Sequence, residues 1–309
     1  MAEAFTKKGK SPATVLAVSV QYPSLIHPKV QCMSEVVSPH ILDHSSDSRF
    51  RDYYEERSVS APVRQHFVRL RDKVLALRAR EGRQTDRLRV LDIGCNAGTH
   101  ALVWAEKGHI VAGLDVNEPL LGIARERAQL AGVAVQFDLG TATSLPYEDE
   151  SMDVCMMLEL LEHVEDWESC VKEAVRVLAP GGVMYMSTTN ALCPKQQEFN
   201  LPLYSWYPAA LKKHFERLSV TTRPDLTNYA RYPAVHWFTY RGLQRYLSQR
   251  SMHCFDRFDL VETAGSGRLS RFVMAALRWS PSLRWVGHVL TPGTSVMAVK
   301  RWPGQPTPV

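Results

Sequence analysis

The run Val90-Leu91-Asp92-Ile93-Gly94-Cys95-Asn96-Ala97-Gly98 limits the architectures open to this chain more than any other stretch. An apolar strand of five or six residues ends on an acid, turns through spaced glycines and passes at once into helix-forming sequence. That order is the opening unit of a parallel sheet covered by helices. The rhythm then repeats. Leu88–Ile93 reads as a strand and His100–Lys107 as a helix. Ile110–Val116 and a helix over Leu120–Ala131 follow, then strands Val133–Leu139 and Asp153–Leu158. A helix over Glu168–Leu178 turns at Pro180-Gly181-Gly182 into a fifth strand, Val183–Thr188. Short apolar strands alternating with helices predict an α/β fold with a doubly wound, mostly parallel sheet of about seven strands.

The flanks have a different character. Residues 1–48 lack periodicity, carry Pro12, Pro23, Pro28 and Pro39, and read as an N-terminal arm. From Phe50 to Arg80 apolar residues recur at helical spacing: Val63, Phe67, Leu70, Val74 and Leu77. After Thr189 the alternation stops, and residues 190–238 are dense in aromatics, among them Phe199, Tyr204, Trp206, Tyr207, Phe215, Tyr229, Tyr232, Trp237 and Phe238. Thr239 is placed to cap a helix through Leu247. Cys254–Glu262 reads as a strand, and Ser295–Lys300 as the last one. The domain is therefore expected to span 49–302, with its core at 85–190, cap insertions at 190–238 and 264–292, and a short tail at 303–309.

Charge is localised. From Thr263 onward there is no Asp or Glu, but there are Arg268, Arg271, Arg278, Arg284, Lys300 and Arg301. The other 262 residues carry 31 basic and 32 acidic side chains, the 37 and 32 of the whole chain less those six. A nucleic-acid partner is not expected from this pattern. Leu269, Phe272, Val273, Ala276 and Leu277 can share one face, ringed by arginines and joined by Trp279 and Trp285. Two readings stay open for residues 264–291: peripheral contact with an anionic membrane, or packing on the core with solvated arginines. Six scattered cysteines without a CxxC pair predict reduced thiols and a cytoplasmic setting.

The loop D-x-G-x-N-x-G differs from a dinucleotide-type G-x-G-x-x-G by the acid ahead of its first glycine, which suits a positively charged ligand end better than a pyrophosphate. Asp115 ends the second strand, where a carboxylate can accept the hydroxyls of a ribose. VLDIGCNAG, GLDVNEPLLGIAR, LPYEDESMDV, ELLEHV and RVLAPGGVMYMSTTN stand in the order and spacing of class I methyltransferases. Over about 85–190 the chain resembles the branch containing the ubiquinone-biosynthesis O-methyltransferases and related small-molecule enzymes. The resemblance implies a Rossmann-like domain with a substrate cap and methyl transfer from S-adenosylmethionine to a small-molecule acceptor, most often a hydroxyl oxygen; the alternatives are carbon or nitrogen methylation of a natural-product or lipid precursor, or a module that binds S-adenosylmethionine without catalysis. It implies that Asp92, Gly94 and Gly98 line the methionine end, that Asp115 binds the ribose and that Leu158 lies beside the cofactor, with Asn96 and Val116 in the same cofactor-binding set. The adenine position, commonly Gly-Asp-Ala, is here Gly140-Thr141-Ala142, so Thr141 and the Ala142 amide replace the usual carboxylate.

Two groups are candidates for the chemistry. Glu159-Leu160-Leu161-Glu162-His163 follows the fourth strand. If it is helical, Glu159, Glu162 and His163 share a face and could hold a divalent ion such as Mg²⁺. The same run admits His163 as a metal-free base or a purely structural role. His236, in the aromatic insertion, is either a second base near the acceptor or a histidine held within the cap.

Overall fold

The computed structural model describes residues 58–196, 198–227, 234–261 and 267–302. The predicted arm at 1–48, the tail at 303–309, Tyr229, Tyr232 and Cys32 lie outside them. Seven strands form one sheet: β1 Arg89–Ile93, β2 Ile110–Asp115, β3 Gln136–Leu139, β4 Met152–Leu158, β5 Leu178–Thr189, β6 Met252–Phe255 and β7 Gly293–Lys300. Their order is β3-β2-β1-β4-β5-β7-β6. The first five are parallel, and β7 runs antiparallel between β5 and β6. The strand order reverses between β1 and β4, so the connections leaving their carboxyl ends diverge and open a crevice, the usual ligand position in such sheets.

Eight α-helices accompany the sheet among the described residues: α1 Ala61–Arg80, α2 Thr99–Ala105, α3 Glu118–Ala131, α4 Trp167–Val177, α5 Ala209–Thr221, α6 Tyr240–Ser248, α7 Arg268–Trp279 and α8 Pro281–Val289. One core joins α1, α2 and α3 to one face of the sheet through Leu70, Val74, Leu77, Leu102, Trp104, Leu121 and Ala124. The other joins α4 and α6 through Val171, Ala174, Val177, Leu243 and Leu247. β1 is buried at four of its five positions because both of its faces are covered. Helix ends follow local chemistry. Asn117 accepts from the Leu120 amide to start α3, Gly132 ends it at φ +66°, and Thr239 accepts from the Gly242 amide to start α6 as expected.

Several boundaries differ from the sequence reading. The third strand begins at Gln136, not Val133. Pro180-Gly181-Gly182 does not break the fifth strand: β5 runs through it as an irregularity, pairing Leu178 with Met152 and then Val183 with Val154, with Gly181 at φ +77°. The strand expected at Cys254–Glu262 is Met252–Phe255. Asp256 ends it, because its carboxylate accepts from the Phe258 and Asp259 amides and closes a turn. The basic segment is two helices, broken at Ser280-Pro281, where Ser280 caps the second. The five described cysteines are free, and four of them are buried.

Candidate active site

At the carboxyl end of β1 the chain turns back on itself. Gly94, Asn96 and Gly98 take φ of +75°, +48° and +74°. Glycine is required at the first and third positions by neighbours as much as by any ligand. A Cβ on Gly98 would lie 2.8 Å from the Ala124 Cβ and 2.9 Å from the Phe137 ring, and one on Gly94 would lie 2.9 Å from Leu160. The Gly94 contact brings the loop after β1 directly against the turn after β4. Asn96 tolerates its left-handed φ while its side-chain amide donates to the Gly94 carbonyl at 3.0 Å.

Asp115 is the brace of this loop. One carboxylate oxygen accepts from the Asn96 amide at 2.8 Å and the other from the Asn117 amide at 2.9 Å. Burial pushes its pKa up, against the opposing pull of these two amides. Its neighbour Val116 is exposed, and Leu139, paired with Asp115 across the β2–β3 ladder, is also exposed. Two apolar side chains standing open at adjacent strand ends make a lip suited to a flat base. The sequence reading named Val116 and missed Leu139, whose exposure only the register reveals. Ala142 is buried behind them, and the Thr141 hydroxyl is paired with that of Thr143 at 2.8 Å.

Asp92 is buried beneath the loop. Its Oδ1 contacts His100 Nδ1 at 3.1 Å, and the Trp104 indole donates to His100 Nε2 at 3.1 Å. Since the indole can only donate, Nε2 must accept, so Nδ1 carries the proton and donates it to Asp92. Asp92 Oδ2 is buried and has no hydrogen-bond partner among the described residues. A buried carboxylate oxygen without a donor is costly in isolation and fits a positively charged or N–H-bearing ligand group. His100 and Trp104 were not singled out from sequence. Their i, i+4 spacing, eight residues after Asp92, was the available signal.

The turn after β4 is built differently from the sequence expectation. Leu158 ends β4 half-buried, in register with Ser187. Glu159 is exposed at φ +48°, its amide donating to the Ser187 carbonyl at 2.9 Å. Glu162 is fully buried: its Oε2 accepts from the Thr188 hydroxyl at 2.7 Å, and Oε1 has no hydrogen-bond donor among the described residues. Burial, reinforced by the charge of Glu159, pushes the Glu162 carboxyl well toward its neutral form. Glu159, Glu162 and His163 are thus not gathered into the ligand set that the E-x-x-E-H run suggested. Among the described residues no group of three or more His, Cys, Asp or Glu side chains is placed to hold a metal ion. The helix that would align them does not form there: the segment is a turn, with the His163 amide donating to the Leu160 carbonyl.

The insertion after β5 folds over this turn and has a core of its own. Phe199 and Tyr204 stack at 4.0 Å, and Tyr207, Phe215, Leu218 and Trp237 pack around them. Much of the aromatic density is therefore spent inside the cap. The cap is fastened to the turn after β4, since the amides of Val235 and His236 both donate to the Glu162 carbonyl, at 2.9 and 3.3 Å. The His236 ring is half-buried and its Nε2 donates to the Glu165 carbonyl at 3.0 Å, which leaves Nδ1 as its basic nitrogen. Glu198, which no sequence pattern marked, has its pKa raised to about 7 by burial and by the charge of Glu159.

Residues 91–186 match a family described as a methyltransferase domain. The chain is 35% identical over 132 residues to the ubiquinone biosynthesis O-methyltransferase of Rhizobium johnstonii, an overlap of 42% of this chain and 52% of that protein. It is 37% identical over 130 residues to the enzyme of the same name from Sinorhizobium medicae, again 42% of this chain and 52% of the relative. The chain thus spans about half the length of the curated relatives it matches. In fold it is similar to the crystal structure of a candidate sarcosine dimethylglycine methyltransferase from Galdieria sulphuraria, with a TM-score of 0.51 at 16% identity, covering 82% of this chain and 99% of that one.

Proposed function

We propose that this chain, whose residues 91–186 match a methyltransferase-domain family, transfers a methyl group from S-adenosylmethionine to a small-molecule acceptor, with a hydroxyl oxygen as the receiving atom. The observation that carries the reading is the pairing of two buried acids at the strand-order reversal: Asp92, with Oδ2 unpartnered, and Asp115, bracing the loop between them. Asp92 Oδ2 is suited to the amino group of the methionine portion. Asp115 keeps lone pairs for ribose hydroxyls beyond the two amides it already accepts. Val116 and Leu139 would flank the adenine, with Thr141 and Ala142 at its edge. Bound there, S-adenosylmethionine supplies a methyl group on a sulfonium leaving group.

The chain's own task is to align the acceptor, exclude water and take a proton. The aromatic cap provides the roof. His163 and His236 lie on the turn after β4 and on the cap segment fastened to it, and we assign the proton-accepting role to this pair, with His236 acting through Nδ1. Magnesium fits poorly: a hard cation needs charged oxygen ligands, and Glu162 is buried, hydrogen-bonded to Thr188 and pushed toward neutrality. The reading extends to a cytoplasmic setting, supported by the five cysteines that are free among the described residues. Isothermal calorimetry of the full chain with S-adenosylmethionine and S-adenosylhomocysteine should give saturable binding. Labelled methyl donor with a panel of phenols, catechols and aliphatic alcohols, read by mass spectrometry, should then yield a methyl ether. Absence of cofactor binding by a folded protein would overturn the proposal. Binding with methylation confined to nitrogen or carbon acceptors would overturn its acceptor class.

A further inference from the structure

The helical pair α7–α8 is amphipathic in the opposite sense from an ordinary surface hairpin, which turns its apolar stripe to the core and its charges to water. Here two arginines turn inward. Arg278 donates to the carbonyls of Phe258 and Val261, at 3.0 and 2.6 Å. Arg284 pairs at 2.6 Å with Asp256, a fully buried carboxylate that also meets His288 Nε2 at 3.0 Å. Burial acts to raise the Asp256 pKa, but the His288 and Arg284 contacts outweigh it and hold the group below the usual carboxylate range. Further fastening comes from Asn190, whose amide donates to the carbonyls of His288 and Thr291 at 2.7 Å each, and from the His288 ring stacked on Tyr240 at 4.9 Å.

The outward side is apolar. Leu269, Phe272 and Trp279 on α7 are 76%, 71% and 88% exposed, with Val273 beside them, and Leu290 just past α8 is 72% exposed, aligned with Leu283 and Val286. Neither helix buries a single residue. Scattered exposed leucines need no explanation, but a continuous stripe across two consecutive helices does. The side chains of Arg268 and Arg271 are exposed on α7 and make no hydrogen bond or ion pair with another described residue. No acidic residue occurs from 263 to the last residue of the chain. A protein partner would need only the apolar stripe. Arginines without an acidic partner among the described residues, on a tryptophan-bearing stripe with no acid across two whole helices, match a negatively charged lipid surface.

We propose that the α7–α8 hairpin is a seat for an anionic lipid bilayer, with Leu269, Phe272 and Trp279 entering the headgroup–acyl boundary and Arg268 and Arg271 meeting the lipid phosphates. This is surface attachment, since no described helix is long and apolar enough to cross a membrane. The hairpin hangs from Asn190 and from Gly293, which pairs with Thr189 at the carboxyl end of β5. Attachment therefore turns the strand ends that carry the crevice toward the bilayer. The seat itself does not depend on the cofactor reading.

The experiment is co-sedimentation of the full chain with vesicles of phosphatidylcholine alone or mixed with phosphatidylglycerol, at low and high salt. Wild type should bind the mixed vesicles, release with salt and show a blue shift of tryptophan emission. The combined variant Leu269→Ser, Phe272→Ser, Trp279→Ser and the charge reversal Arg268→Glu, Arg271→Glu should each weaken binding by about tenfold or more. Unchanged circular dichroism would verify folding, and Phe272→Ser alone serves if the triple variant does not fold. Failure of wild type to bind anionic vesicles at low salt would overturn the proposal, as would variants that bind like wild type. So would a concentration-dependent dimer, seen by sedimentation equilibrium and abolished by the same substitutions, in a protein that ignores vesicles.

Discussion

Asp115→Ala would act on stability as well as on binding, and the structure gives the size of both effects. The carboxylate accepts two backbone amides, from Asn96 at 2.8 Å and Asn117 at 2.9 Å. Hydrogen bonds to a charged acceptor contribute about 1.5–3 kcal/mol each. Asn117 is buried and would be left without this acceptor, whereas half-buried Asn96 would regain water in part. Relief of the cost of burying the carboxylate, visible in its upward-shifted pKa, offsets some of the loss. The expected net destabilisation is about 2–4 kcal/mol, a large part of the roughly 5–15 kcal/mol that holds a domain together. Asp115→Asn should cost less, about 1–3 kcal/mol, since its amide oxygen keeps one bond while its NH₂ confronts the other donor. Urea unfolding followed by circular dichroism measures this, provided the slope with denaturant is unchanged. For molecules that remain folded, losing the ribose acceptor should weaken S-adenosylmethionine about 10- to 150-fold by calorimetry. An Asp115→Ala protein as stable as wild type to within about 0.5 kcal/mol would refute the brace. A folded variant with unchanged affinity would refute the placement of the cofactor.

Three further outcomes are expected. Glu162→Gln should leave stability within about 1 kcal/mol and turnover within a few-fold, because the amide oxygen can still accept from Thr188 and the native carboxyl is already pushed toward neutral; loss of activity matched by chelator treatment would instead restore the metal reading. Glu198 has a folded pKa of about 7 against 4.5 for the free group, so its contribution to stability is fully present below pH 4.5 and is lost as pH rises through 7, by at most about 3 kcal/mol. Relative to Glu198→Gln, wild type should therefore weaken across that window in urea titrations, and parallel pH profiles would rule this out. Trp104→Phe removes the only donor shown to His100 Nε2 and should cost about 1–2 kcal/mol. It should also let His100 change tautomer, which nitrogen-15 spectra of the imidazole would report; a spectrum identical to wild type would contradict the chain from Trp104 to Asp92.

Much of the core was legible because strand and helix periods leave marks that neighbours cannot erase. The acids Asp92 and Asp115 sit at strand ends that apolar runs announce, and Thr239 caps α6 by a rule that works within four residues. What stayed hidden depends on partners distant in sequence. Leu139 faces outward because of its register with Asp115, and Glu198 is perturbed by Glu159, across 39 positions of chain. The E-x-x-E-H run misled because periodicity assumed a helix, whereas Thr188 draws Glu162 into the core and Glu159 is turned outward at a left-handed φ. In the C-terminal hairpin the apolar stripe was visible but its direction was not, since that is decided by Asp256 and Asn190 on other elements.

The single carbonyl of Glu162 receives both cap amides, Val235 and His236, while Leu160 in the same turn fills the space beside Gly94. Roof and floor of the crevice are therefore hung on one five-residue pivot. A ligand in the glycine loop that displaced Leu160 would also displace the carbonyl that carries the roof. Reciprocity then requires that an acceptor tightening the roof also raise affinity for the occupant of the loop by the same factor.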